Sequence, residues 1–244
     1  MQKNILLLTG WGATCTIWEW IIPALDGRCQ INCVPPSWEQ KKEFGSLSEL
    51  DIYVNNLAKS LHSPVQIIAW SMGGQIAIRL ASRYPELVSS ICFLSSVPVF
   101  VSEDDENEGI DFDWFCAFER DFEKSPLSTL KKFLVLQVKN DEFAKQTLQK
   151  IKSESSFDQY DFAECKFGLD LLKINSMDDL LKLTCEKYFI HGDADAVVNI
   201  NSAVHAANLS NSACYTIQGA GHAPHVSHAS QVGDIINRHL RVSH

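Results

Sequence analysis

Val65-Gln66-Ile67-Ile68-Ala69-Trp70-Ser71-Met72-Gly73-Gly74, continued by Gln75-Ile76-Ala77-Ile78-Arg79-Leu80-Ala81-Ser82-Arg83-Tyr84 and stopped by Pro85, decides how this chain is read. Residues 65–70 are a short apolar run of strand length, and residues 72–84 carry apolar side chains at helical spacing until the proline ends them. One serine separates strand from helix, with a small residue two places before it (Ala69) and two places after (Gly73). A tight strand-to-helix turn of this kind raises a serine hydroxyl above the sheet, while small neighbours let the helix pack close to the strands. Alanine replaces the more usual first glycine of such an elbow and is the smallest substitute for it. A serine that merely capped a helix would need no buried strand before it.

Outward from the elbow the same alternation repeats. Residues 5–8 (ILLL) and 29–34 (CQINCV) read as strands, the second ended by Pro35-Pro36. Residues 47–61 read as a helix that Ser46 or Ser48 could cap, and residues 89–96 as a further strand. Late in the chain, 186–192 and 213–218 read as strands and 201–209 and 230–240 as helices. Near-continuous apolar strands alternating with helices predict an α/β fold with a mostly parallel sheet covered on both faces. Residues 99–175 break the alternation and read as helical, with Trp114, Phe115, Phe118, Phe122, Phe133, Phe143, Phe157 and Phe162 among them. The expected organisation is a core of residues 1–98 and 176–244 with a helical cap, 99–175, over the carboxyl edge of the sheet, where open α/β sheets keep their sites.

Composition narrows the function. A net charge of −9 argues against nucleic acid as a partner. The charge is uneven: residues 103–125 hold ten acids against two bases, and residues 131–152 hold six lysines against two acids. The second run is either a docking surface or an ordinary solvated helix face. No apolar run reaches the ~18 residues of a membrane span, and the first residues lack the long apolar core of a signal peptide. These readings predict a soluble, cytoplasmic protein. None of the eight cysteines forms a C-x-x-C pair, so reduced and mostly buried thiols are expected, with no metal site.

Serine is a poor nucleophile at neutral pH and needs a base. Of eight histidines, His222 lies in Gly219-Ala220-Gly221-His222-Ala223-Pro224, a loop that follows the last strand. His225 and His228 read as lining or surface residues. The acid should follow the preceding strand, where Gly192-Asp193-Ala194-Asp195 offers two. Asp195 is favoured by its spacing from the glycine, and Asp193 would then shape the turn through its own backbone. The chain order Ser…Asp…His is the one that goes with this elbow. Two backbone N–H groups would serve an oxyanion: that of Met72, and that of Trp11 in the Thr9-Gly10-Trp11-Gly12 loop.

The elbow, the Gly-Trp-Gly loop, Ser95-Ser96-x-Pro98, Lys132-Phe133-Leu134-Val135-Leu136-Gln137, Gly168-Leu169-Asp170-Leu171-Leu172-Lys173 and the ending Gly221-His222-Ala223-Pro224-His225-Val226-Ser227-His228 together resemble the pimeloyl-[acyl-carrier protein] methyl ester esterases of biotin synthesis, within the α/β-hydrolase superfamily. The elbow and Gly-Trp-Gly are common to many α/β-hydrolases, whereas the cap segments and the ending are more particular to these esterases. The resemblance implies removal of a methyl group from a seven-carbon acyl chain carried on acyl-carrier protein. It implies a monomer with no cofactor, catalysis by Ser71, Asp195 and His222, oxyanion groups at Trp11 and Met72, and substrate contacts from Trp11 and Phe133. It further implies that cap arginines meet the acidic carrier; here Lys132 and Lys145 stand at two such places, and Ser128 and Gln149 at two others. Thr9 stands where a histidine often precedes the glycine, and the chain begins at the strand leading into Gly-Trp-Gly, without the family's extra antiparallel strand.

Two other readings fit parts of the pattern. A broad-specificity carboxylesterase would act on small short-chain esters without a carrier. An inert hydrolase-fold receptor or binding module would have no use for the complete Ser-Asp-His set.

Overall fold

The computed structural model describes residues 3–34, 47–102, 109–153 and 161–242. Its centre is a six-stranded sheet of β1 (Asn4–Leu8), β2 (Gln30–Cys33), β3 (Val65–Trp70), β4 (Val88–Leu94), β7 (Glu186–Gly192) and β8 (Ala213–Ile217), in the order β2-β1-β3-β4-β7-β8. Every described pairing in it is parallel, with Leu7 opposite Ile68 and Ile68 opposite Cys92 in the central strands. Between β4 and β7 lies a short two-stranded pairing of β5 (Val101–Ser102) with β6 (Ile110–Asp111). Two-residue strands are too short to show an alternating pattern, so the helical reading of 99–175 missed them.

The six strands are buried on both sides, and period 2 sends alternate residues to opposite faces. Leu6, Leu8, Ile67, Ala69, Ile91 and Phe93 pack against α1 (Leu47–Ser60), α2 (Gly73–Arg83) and α8 (Ile200–Leu209) through Leu50, Val54, Ile76, Ala77, Leu80 and Ala203. Ile5, Leu7, Ile68, Trp70, Cys92, Leu94 and Ile190 face α10 (Ala229–Val242) and the 3-10 turn Cys15–Trp20, meeting Ile17, Trp18, Val232, Ile236 and Leu240. Each fully buried aliphatic of this kind contributes about 1.5–3 kcal/mol relative to exposure.

The chain between β6 and β7 forms α3 (Phe112–Lys124), α4 (Pro126–Gln137), α5 (Ala144–Ser153), α6 (Phe162–Leu172) and α7 (Met177–Lys182). Asp111 caps α3 by accepting from the Trp114 N–H, and Asp161 caps α6 by accepting from those of Ala163 and Glu164. Pro126 opens α4 at a position where its missing N–H costs nothing. Phe115, Phe122, Leu130, Phe133 and Phe167 turn inward and join Trp11 and Met72 in one core cluster. That contact carries the helices onto the carboxyl ends of β1 and β3.

Two expectations are corrected. Cys15 and Cys33 form a disulfide, so the eight cysteines are not all free thiols; Cys92 and Cys165 are buried, and Cys29, Cys116, Cys185 and Cys214 are partly exposed. Their separation of 18 residues carries no motif, and only the return of the chain along β2 beside β1 brings them together. Of the lining and surface readings of His225 and His228, the surface one falls, since both are buried. The Pro35-Pro36 stop, the Ser46 or Ser48 cap side chains, Phe157 and the acids at 103–106 and 108 lie outside the described residues.

Candidate active site

Ser71 sits between β3 and α2 with φ 52°, the left-handed region that a residue with a side chain rarely adopts. The turn survives because its neighbours hold it from several sides. The Ser71 N–H donates to Leu94 O at 3.0 Å, and the Ser96 hydroxyl donates to Ser71 O at 2.6 Å. A Cβ on Gly73 would lie 2.4 Å from Leu8 O, and one on Gly74 would lie 2.0 Å from Ser96 Oγ. Those two positions exclude side chains because α2 is drawn down onto β1 and onto the end of β4.

The Ser71 hydroxyl lies 2.9 Å from Nε2 of His222, and Nδ1 of His222 lies 2.8 Å from Oδ2 of Asp195. A carboxylate can only accept, so Nδ1 carries the imidazole proton and Nε2 is free to receive one from Ser71. Asp195 Oδ1 accepts the N–H groups of Val197 and Val198 at 2.8 and 3.0 Å. His191 Nε2 stands 3.1 Å from Asp195 Oδ2 and 3.1 Å from Val198 O, so that nitrogen also bears its proton. Burial alone would push the Asp195 carboxyl up. The positive charge that His222 can take on, with hydrogen bonds from His191 and His222, outweighs burial and holds the carboxyl well below the usual range. The arrangement can abstract a proton from a serine hydroxyl and stabilise the imidazolium that results.

Asp193 takes a different part. Its Oδ1 accepts the Gly219 N–H at 2.7 Å, tying the turn after β7 to the loop that carries His222, so it reaches across to a second loop rather than to its own backbone. Gly192 permits that approach: a Cβ there would lie 2.1 Å from Ala220 O.

The Trp11 and Met72 backbone N–H groups have no acceptor among the described residues. Gly10 lets the first loop close on the elbow, since a Cβ there would lie 3.0 Å from Ser71 Cβ. The Trp11 ring is fixed by its Nε1–H, which donates to Cys165 O at 2.6 Å, and by edge contacts to Phe118, Phe122 and Phe133 at 5.5, 5.5 and 5.0 Å. Phe133 also lies 6.5 Å from the His222 ring. It lines a cavity of about 290 Å³ between α3 and α4, together with Trp114, Phe118, Thr129, Leu136 and, as charged members, Asp121 and Lys132. Ser71 itself is 5% exposed. Lys132 and Lys145 are exposed on α4 and α5. Lys150 is engaged elsewhere, donating to Val226 O and lying 4.5 Å over the Trp20 ring.

The sequence pattern missed Ser96 and His191 as supports of the site. Ser96 has no local signal, because it acts on Ser71 across the β3–β4 pair, and His191 reads as one more buried strand residue although it meets Asp195 only four residues on. It also missed the setting of His225, which sits between Trp18 and Trp70 at 4.9 and 4.7 Å with neither ring nitrogen hydrogen-bonded among the described residues. Burial first, and the His222 charge second, push the His225 imidazole down to about 3. Burial pushes the Cys165 thiol up to about 12, which leaves this cysteine beside the site unreactive. Among the described residues no cluster of three or more His, Cys, Asp or Glu could hold a metal ion, and no helix is long and apolar enough to cross a membrane.

Residues 3–229 match the family described as alpha/beta hydrolase fold. The chain is 30% identical over 98% of its length to the biotin biosynthesis bifunctional protein BioHC of Teredinibacter turnerae, of which it spans 45%. It is 26% identical over 96% of its length to the pimeloyl-[acyl-carrier protein] methyl ester esterase of Aeromonas hydrophila, spanning 93% of that protein. Among solved structures, a bromoperoxidase from Bacillus anthracis superposes with a TM-score of 0.81 at 22% identity, covering 99% of this chain and 92% of that one. That likeness speaks for the fold alone. With its parallel sheet, its serine at a strained strand-to-helix turn and this match over nearly its whole length, the chain belongs to the α/β-hydrolase fold family.

Proposed function

We propose that this chain is a serine carboxylesterase that hydrolyses the methyl ester of pimeloyl-[acyl-carrier protein], releasing methanol and leaving the carrier-bound acid. The observation that carries the hydrolytic part is the unbroken relay from Ser71 Oγ through His222 to the buried Asp195, at 2.9 and 2.8 Å. The Aeromonas relative that bears this esterase name supports the substrate. So does the cavity between α3 and α4, whose lining is mostly aromatic and aliphatic and includes Lys132.

In this reading Ser71 Oγ attacks the ester carbonyl as His222 Nε2 takes its proton. The developing oxyanion is held by the Trp11 and Met72 N–H groups, which have no competing acceptor among the described residues. His222 then returns the proton to the departing methoxide, and the acyl group remains on Ser71. Water, deprotonated by His222, releases the acid and restores the serine. Asp195 stays ionised throughout, keeping the proton on Nδ1 of His222 between steps. No step requires a cofactor. Phe133 and Trp11 would line the acyl path, Lys132 and Lys145 would meet the carrier, and the enzyme would work as a cytoplasmic monomer, with residues 99–175 as its cap.

The test is to assay methyl pimeloyl-carrier protein beside free short-chain esters. Turnover of the carrier substrate with a KM well below that of the free esters is the expected result. Equal handling of both would replace this reading with a broad-specificity carboxylesterase, for which the absence of arginine at Ser128 and Gln149 argues.

A further inference from the structure

The turn that follows α4 grips the loop carrying His222 at three successive points. The Glu142 N–H donates to Gly219 O at 2.7 Å, the Gly221 N–H donates to Asp141 Oδ2 at 2.8 Å, and the His222 N–H donates to Gln137 O at 2.9 Å. Two of these bonds are backbone to backbone. The middle one depends on a side chain, and that side chain is a carboxylate only 6% exposed. Both of its oxygens are engaged, since Oδ1 accepts the Phe143 N–H at 2.8 Å. Asn140 makes the geometry available by taking a left-handed φ of 68°, which turns the chain so that Asp141 faces the loop. Gly221 makes room: a Cβ there would lie 2.8 Å from Gln137 O and 3.2 Å from Asp141 Cβ. On its other side His222 is held by Trp70, whose Nε1–H donates to His222 O at 2.8 Å.

We infer that Asp141 is a positioning residue for His222, fixing from the cap side the loop on which the imidazole rides. The inference rests on the reading of His222 as the general base. A charged acceptor makes shorter and stronger bonds to N–H than a neutral one. The N–H it accepts belongs to Gly221, one residue before the histidine, where a small backbone shift passes directly into the 2.9 Å approach of Nε2 to Ser71 Oγ. Asparagine cannot replace it. The Gly221 and Phe143 N–H groups face different oxygens, so an amide oxygen would meet one of them and the amide NH2 would set a donor against the other.

Asp141→Asn should lower kcat on p-nitrophenyl acetate roughly 10- to 100-fold, the scale expected for an ångström-sized misplacement of a reacting group. KM should change little, because Asp141 is remote from the acyl cavity. The decisive measurement repeats the substitution in a His222→Ala background. There it should leave the residual turnover unchanged, because the effect runs through the imidazole. Asp141→Ser, which keeps a small oxygen acceptor, should give an intermediate kcat and supplies the test should the asparagine variant fold poorly. Thermal unfolding of each protein reports separately on stability. Wild-type kcat in both Asp141 variants, or an equal loss in the presence and absence of His222, would overturn the positioning role. Undiminished turnover in His222→Ala alone would instead overturn the general-base reading, and this inference with it.

Discussion

At the scale of single residues, the chemistry separates groups that act from groups that hold. Ser71→Ala and His222→Ala should each reduce ester turnover by several orders of magnitude with the fold intact, as expected for members of one relay. Asp195→Asn should cost heavily, because an amide facing Nδ1 favours the wrong tautomer. Asp193→Asn should cost little, because one remaining oxygen suffices for the Gly219 N–H. Steady-state kinetics on the four variants decide the matter; a severe Asp193 effect would reverse the assignment of the acid. A fluorophosphonate should label the peptide that contains Ser71, and mass spectrometry finding the adduct on a cysteine peptide instead would end the serine mechanism. His225 lends itself to a stability test. Its imidazole is depressed to about 3 by burial and by His222, so between about 6.5 and 3 the unfolded chain binds a proton that the folded one refuses. Stability attributable to this group therefore falls as pH falls through that window. His225→Phe removes the titration and two buried nitrogens without partners among the described residues. The variant should melt higher than wild type, by more at pH 5 than at pH 8; the opposite ordering would show that the ring nitrogens do find partners.

At the scale of elements, the site is a meeting of loops held by close backbone approaches. A Cβ on Gly192 would lie 2.1 Å from Ala220 O, and backbone cannot step aside as a side-chain tip can. Gly192→Ala should therefore destabilise the fold by at least the ~1–3 kcal/mol of an overpacked core and depress turnover with it. Gly27→Ala, with nothing within 4 Å, should stay within about 0.5 kcal/mol by chemical denaturation. The same contrast explains what could be read from the sequence. The β3–Ser71–α2 unit was legible because an apolar run, small flanking residues and a stopping proline are all local. The order of Ser71, Asp195 and His222 was legible because each follows a recognisable strand. The 137–142 turn, Ser96 and the Cys15–Cys33 disulfide were not, because each matters only through a neighbour distant in the chain. Nor did α4 and α5 look like two helices. Their lysines continue across the break, and only the left-handed φ at Asn140 marks the turn between them.

At the scale of the whole molecule, a net charge of −9 has to be reconciled with the acidic carrier partner proposed above. Uniform charge would repel it, so association must use a local surface. On α3, Glu123 pairs with Lys166 and Glu119 with Lys173, so the acidic helix draws the lysines of α6 to itself. Lys150 is likewise drawn off by Val226 and Trp20. Lys132 and Lys145 remain exposed, and Lys132 is among the residues lining the cavity that Phe133 lines toward His222. Attraction across such a surface chiefly raises the association rate. Lys132→Glu combined with Lys145→Glu should therefore raise KM for a carrier-bound methyl ester while leaving kcat nearly unchanged. A free short-chain ester should be hydrolysed as by wild type, because neither lysine touches the Ser71–His222–Asp195 relay. The KM difference should shrink as salt rises, since exposed charges are screened over ~8 Å at physiological ionic strength. Measuring both substrates at low and high salt separates the possibilities. A KM increase on both substrates would mean that the double change has deformed the cavity. Identical kinetics on the carrier substrate at low salt would mean that the two lysines only solvate the cap and that the carrier is recognised elsewhere or not at all.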